Sequence, residues 1–238
     1  EPTEKNFLVN LIDSPGHVDF SIEVSSAVSL SDGALVMIDV VEGVSPQTLT
    51  VIRQAWEAKV KTCLVLNKID RLIIDKWYDA TEVYNWISQI IENANSYISE
   101  LIQGDHLRRQ EESQKRDRRL SSNNSSGSEK MTDAELEAAE MEALYSPEKG
   151  NVAFVSALDN WGFTLDTVCP RIAKQFGMNP KALKKFMWGK YYYVSATKKI
   201  VKEPPREDSC EMFVQFAMKP LVAEYRKIFN ESMIGNTN

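Results

Sequence analysis

Histidine and cysteine are scarce in these 238 residues, with two of the first and three of the second. A zinc or iron centre needs several such ligands at short spacing, and Cys63, Cys169 and Cys210 are scattered without it. The same scatter excludes a disulfide framework and reads as reduced thiols in the core or at the surface. No apolar run is long enough to cross a bilayer, so no membrane partner is expected. A net charge of −6 leaves no overall basic footprint for nucleic acid, and any contact with RNA has to be local. What is present is a hydrophobic content of 43%, enough to build one sizeable α/β core.

Against that background the most informative stretch is Asn67-Lys68-Ile69-Asp70, directly after the β-rich run Thr62 to Leu66. The placement puts the motif at the carboxyl edge of a strand, where open α/β sheets bind their ligands. A carboxylate there can accept both adjacent N–H groups of guanine, and adenine lacks the exocyclic one. A site built this way leaves polar groups unpaired against the wrong base, which is worth about four orders of magnitude in selectivity. Asn67, Lys68 and Asp70 are therefore candidate base-binding residues for GTP or GDP.

Asp13-Ser14-Pro15-Gly16-His17 follows a second apolar run, Phe7 to Ile12, expected to be a strand. Asp13 at its end suits magnesium, held through water because that ion prefers hard oxygen ligands and keeps much of its hydration shell. Gly16 lets the backbone approach a terminal phosphate with no Cβ in the way. Ser156-Ala157-Leu158, after the run Asn151 to Val155, comes third, where its backbone N–H would meet the guanine carbonyl oxygen. A magnesium and phosphate motif, a base motif and a second base loop, each ending a β-like run, is the layout of a doubly wound nucleotide-binding sheet.

These residues resemble the GTPase domain of the translational GTPases, in the elongation factor 2 branch. The likeness is carried by Leu11 to Phe20, Asp32-Gly33-Ala34, Glu42-Gly43-Val44, Gln47-Thr48, Arg53-Gln54-Ala55 and Asn67 to Arg71. Ser146 to Val152, Trp161-Gly162-Phe163 and Trp188-Gly189 look most like the elongation-factor-2-like GTPases of large ribosomal subunit maturation. The resemblance covers residues 4–103 and 145–200 well, and 212–229 loosely. It implies that His17 orients the attacking water when large-subunit ribosomal RNA presses on its loop. It also implies a cytoplasmic protein that works on the large ribosomal subunit, hydrolyses GTP and helps to evict eukaryotic initiation factor 6 together with the Shwachman–Bodian–Diamond protein. Elongation factor 2 itself, the translocase, is the alternative within the branch, with the spliceosomal relative behind it. A non-hydrolysing scaffold built on a GTPase-like domain is the alternative of another class.

One departure stands out: no Gly-x-x-x-x-Gly-Lys-Ser/Thr occurs, although that loop cradles the phosphates. The expectation is that it lies upstream of Glu1, and that the chain by itself lacks the grip needed for turnover. The expected fold is thus a doubly wound α/β sheet of the P-loop GTPase type, without its phosphate-loop segment.

Residues 1–103 are expected to form the first part of the domain and 151–205 the second. Residues 206–238 are expected to form its edge and the start of a connection. Between the two parts, residues 104–150 read as a disordered insert: basic pairs, then the nearly pure Ser, Asn and Gly stretch Ser121 to Ser128, then acidic residues. Thr132 and Glu135 make a capping box there for a helix Asp133 to Leu144. Helical spacing is expected over Val18 to Leu30, Pro46 to Ala58, Asp79 to Leu101, Leu165 to Phe176, Pro180 to Met187 and Leu221 to Phe229. Gly33 to Asp39 and Met212 to Met218 read as strands and Trp161-Gly162 as a turn. Tyr191 to Tyr193 reads as packing, since three consecutive strand residues alternate faces.

Overall fold

Three parallel strands and one antiparallel strand make the central sheet of the structure, a computed structural model that describes residues 7–16, 21–120, 141–206 and 208–235. They are β1 (Gly33–Asp39), β2 (Lys61–Asn67), β3 (Val152–Ser156) and β4 (Trp161–Phe163), paired in the order β1-β2-β3-β4, with β4 antiparallel to β3. The register sets Val36 beside Leu64 and Leu66 beside Phe154, so one face gathers Val36, Ile38, Leu64, Leu66, Val152 and Phe154, all buried. Each such side chain contributes about 1.5–3 kcal/mol when fully removed from water. A separate hairpin, β5 (Tyr192–Val194) with β6 (Lys199–Val201), lies further along the chain.

The helices are α1 (Ser21–Ser29), α2 (Pro46–Glu57), α3 (Ile69–Ile74), α4 (Ala80–Leu120), α5 (Leu165–Phe176), α6 (Pro180–Met187) and α7 (Lys219–Gly235). Their starts are written in the sequence. Ser45 caps α2, accepting the Thr48 N–H at 3.2 Å, and Pro46 takes a first-turn position where its missing N–H costs nothing. Asp79 opens α4 by accepting the Thr81 and Glu82 N–H groups at 2.8 Å each, while Glu82 accepts the Asp79 N–H in return. Val83, Ile87, Ile90, Ile91, Ala94 and Ile98 of α4 are buried, as its helical spacing requires. Val24 and Val28 of α1 pack on Ala55 of α2 in a smaller cluster of their own.

Four expectations are corrected. Phe7 to Ile12 is not a strand: the segment has no regular structure, and Phe7, Leu8, Val9, Leu11 and Ile12 are all exposed. A strand in a parallel sheet is stabilised by cover on both faces, and the outer face of β1, bearing Leu35 and Met37, has little. Met212 to Met218 is helical, with a π turn at Val214–Met218 leading into α7. A buried helix and a buried strand give the same unbroken apolar run, and here Met212, Phe213, Val214 and Met218 are all buried. Trp161 and Gly162, expected in a turn, pair with Ser156 and Val155 as β4. Finally, residues 104–120 continue α4 as helix instead of opening a disordered insert. That stretch has no Gly or Pro after Gly104, and extending a formed helix costs far less than starting one.

The insert also ends earlier than expected. Residues 141–143 are helical and Tyr145 is buried, its N–H and C=O both bonded to the Asn95 amide at 2.8 Å and its hydroxyl to Thr62 at 2.8 Å. The low-complexity residues 121–128, the Thr132 and Glu135 box and the start of its helix lie outside the described residues. Tyr192 and Tyr193 are buried, and Tyr193 meets Phe176 and Phe216 edge-on or tilted, so this triplet is packing.

Candidate functional site

The carboxyl ends of β1, β2 and β3 lie side by side and present Asp39, Asn67 and Ser156 along one edge of the sheet. Asn67 is the hub. Its Oδ1 accepts the Lys68 N–H at 2.8 Å and the Ala157 N–H at 3.0 Å, which ties the base motif to the Ser156-Ala157-Leu158 turn across 90 residues of sequence. The first of those bonds holds Lys68 at φ 68°, ψ 34°, a left-handed conformation disfavoured for a residue with a Cβ. That kink turns the chain from β2 into α3 and drives Asp70 inward.

Asp70 is 2% exposed, and among the described residues its Oδ1 has no donor within hydrogen-bond reach. Buried polar atoms are nearly always paired, so an orphaned carboxylate oxygen on a ligand-binding edge fits an absent N–H donor of the kind guanine offers. Lys68 Nζ meets Asp39 Oδ2 at 2.5 Å, and Asp39 Oδ1 accepts the Val41 N–H at 2.9 Å. Burial works to raise the Asp39 pKa. The hydrogen bonds from Lys68 and Val41, with the charges of Lys68 and Arg71, outweigh it and hold the carboxyl below its ordinary value.

Ser156 is fully buried, and its Oγ accepts the Asp159 N–H at 3.2 Å. The Ala157 amide is committed to Asn67, and the next residue of the turn, Leu158, is 80% exposed. A side network completes the loop: Trp161 Nε1 donates to the Tyr225 hydroxyl at 2.6 Å, and that hydroxyl donates to Asp159 Oδ2. Burial and the neighbouring Asp159 carboxylate push the Tyr225 phenol up to about 12, so it stays a donor through the neutral range.

The phosphate-side residues stand outside this cluster. Asp13 and Gly16 are exposed in the irregular segment 7–16, and no hydrogen bond or ion pair among the described residues joins them to Asn67, Lys68 or Asp70. Among the described residues, a methyl added at Gly16 would meet nothing within 4 Å. His17 lies outside the described residues. Sequence reasoning missed Asp39, although it ends a strand-like run just as Asp13 was expected to. It also missed Asp159 and Tyr225, for which no local pattern exists.

The sequence matches the family described as the elongation factor Tu GTP binding domain over residues 2–216. It is 40% identical over 237 residues to Ribosome assembly protein 1 of Schizosaccharomyces pombe, covering 99% of this chain and 21% of that protein. It is 38% identical over 231 residues to Elongation factor-like GTPase 1 of Homo sapiens, covering 95% of this chain and 20% of that protein. The Saccharomyces cerevisiae Ribosome assembly protein 1 is 41% identical over 206 residues, 84% of this chain and 17% of that protein. The chain therefore spans about a fifth of the length of these relatives. With its parallel sheet, its base motif on the β2 edge and a match across most of its length, the chain belongs to the family of the elongation factor Tu GTP binding domain.

Proposed function

We propose that this chain supplies the guanine-recognition half of a GTPase that acts in maturation of the large ribosomal subunit. The observation that carries the reading is Asp70, buried in the first turn of α3 with one carboxylate oxygen unpaired among the described residues, just after Asn67, which is bonded to the Ala157 amide. In this reading Asp70 accepts the base N1–H and 2-amino N–H. Lys68 lies along the base, held by Asp39, and the 156–158 turn offers a backbone amide to the 6-oxygen. Asp13 would hold magnesium through water, and one carboxylate suits an ion that draws its other oxygens from phosphate and solvent. Bound there, the ion would neutralise charge on the β- and γ-phosphates. Gly16 would present its N–H to the terminal phosphate, and His17 would orient the attacking water.

The name Ribosome assembly protein 1 supports ribosome assembly over translocation, and the finer reading rests on the family resemblance of the sequence motifs. The intact protein would bind the large subunit and its RNA in the cytoplasm, and hydrolysis would promote release of eukaryotic initiation factor 6 with the Shwachman–Bodian–Diamond protein. The competing scaffold reading draws on one fact, that the segment bearing Asp13 does not join the sheet. GTP turnover by the intact protein, with and without large ribosomal subunits, separates the two. Stimulation by the subunit, lost in His17→Ala, is expected. No turnover in either condition favours the scaffold, and turnover that the subunit leaves unchanged, or that survives in His17→Ala, sinks the subunit-stimulated mechanism through His17.

A further inference from the structure

Helix α7 touches both loops that would read the base. On one side it packs against α3, the helix that carries Asp70, where Ile73, Ile74 and Trp77 line a shallow groove with Tyr225 and Phe229, and the Trp77 and Phe229 rings meet at 5.0 Å. On the other, the Tyr225 hydroxyl receives the Trp161 indole N–H at 2.6 Å and donates to Asp159 Oδ2. Asp159 in turn donates its N–H to Ser156 Oγ at 3.2 Å. Ala157, Leu158, Asp159 and Asn160 are all exposed, so no apolar burial fixes this turn and its shape depends on polar bonds. Asn160 sits at φ 54°, a left-handed conformation that asparagine adopts more readily than most residues with a Cβ.

We propose that Tyr225 is a positioning residue for guanine: its hydroxyl fixes Asp159 and so sets the 156–158 turn against the 6-oxygen of the base, coupling nucleotide affinity to the seating of α7. The hydroxyl is not needed for packing. The Tyr225 and Trp161 rings are 6.5 Å apart, a contact that phenylalanine would keep. The hydroxyl donates its bond to a carboxylate oxygen of a solvent-exposed turn, one that Ser156 Oγ reaches only at a longer 3.4 Å. A shift of α7 by the length of that bond would release the turn while leaving the core of Leu64, Leu66 and Phe154 intact. The proposal rests on the base-binding reading above.

The test uses the intact protein and two nucleotides, GDP and 6-thioguanosine diphosphate, which keeps the N1–H and 2-amino donors and replaces the 6-oxygen with a weakly accepting sulfur. Tyr225→Phe is expected to weaken GDP about five- to tenfold, through faster dissociation, the cost of one lost hydrogen bond. The same variant is expected to change affinity for the thio analogue less than about twofold, because the contact that it disturbs is already weak there. Asp159→Ala, an exposed substitution that keeps the protein testable if Tyr225→Phe folds poorly, is expected to repeat the loss. The double variant is expected to add nothing to it. Equal weakening of both nucleotides, an unchanged GDP affinity, or additive losses would overturn the proposal. Wild-type protein with no preference for GDP over ADP would instead remove the base reading beneath it.

Discussion

A carboxylate that is 2% exposed and has an unpaired oxygen is costly unless a ligand completes it, and Asp70 is in that position. Replacement by asparagine keeps the volume but puts an N–H donor where guanine also donates. Asp70→Asn in the intact protein is therefore expected to weaken GDP by at least about 100-fold. It should improve xanthosine diphosphate, whose 2-oxygen can accept that donor. Titration with both nucleotides checks the pair of changes, and parallel losses for the two would show that Asp70 does not face the base. Asp39 makes a different kind of statement. Its folded pKa lies below the ordinary 3.8, so its stabilisation is complete above that value and is lost as pH falls through the lower folded one. Asp39→Asn is expected to cost stability at neutral pH and to flatten the acid limb below about pH 4. Denaturant midpoints measured from pH 7 to pH 3 read this directly, and two parallel curves would count against it.

Among the elements, α4 shows what the sequence discloses and what it withholds. Its start and its buried stripe were legible because Asp79 and Glu82 make a capping box and because Val83, Ile87, Ala94 and Ile98 recur at helical spacing. Its end was not, because residues beyond Ile102 carry no burial pattern and composition alone does not tell an exposed helix from a solvated coil. The base site was legible for the same kind of reason: Asn67 to Asp70 and Ser156 to Leu158 are local, strand-ending motifs. Tyr225 was invisible, since its role depends on a contact 66 residues away. The Phe7 to Ile12 and Met212 to Met218 readings failed where an apolar run fixed neither partner nor period. From this contrast α4 is expected to behave as two segments. Amide exchange should be slow over residues 83–102, which sit in the core, and faster by at least about 100-fold over 107–112, where every residue is exposed. Uniform protection along α4 would mean that something covers its outer half.

Across the whole molecule, apolar surface is distributed unevenly between the two faces of the sheet. On β1, Val36 and Ile38 are 3% and 1% exposed, whereas Leu35 and Met37, on the opposite face, are 63% and 52% exposed. Among the described residues β1 pairs only with β2, so its outer edge is open as well. Phe7, Leu8, Val9 and Leu11 add four more exposed apolar side chains. Parallel sheets are ordinarily covered on both faces, and an uncovered edge next to an apolar face invites association. The net charge of −6 opposes it, but only over about 8–10 Å at physiological salt. The 238-residue chain in isolation is accordingly expected to bind a hydrophobic dye in its folded state and to self-associate more strongly as salt rises. Leu35→Lys together with Met37→Lys should lower the dye signal by about half and shift light scattering towards the monomer. Both side chains are exposed, so the double substitution is expected to leave the melting temperature within about 3 °C. A chain that stays monomeric in high salt and leaves the dye dark would mean that this face is closed in solution, against the sheet seen here.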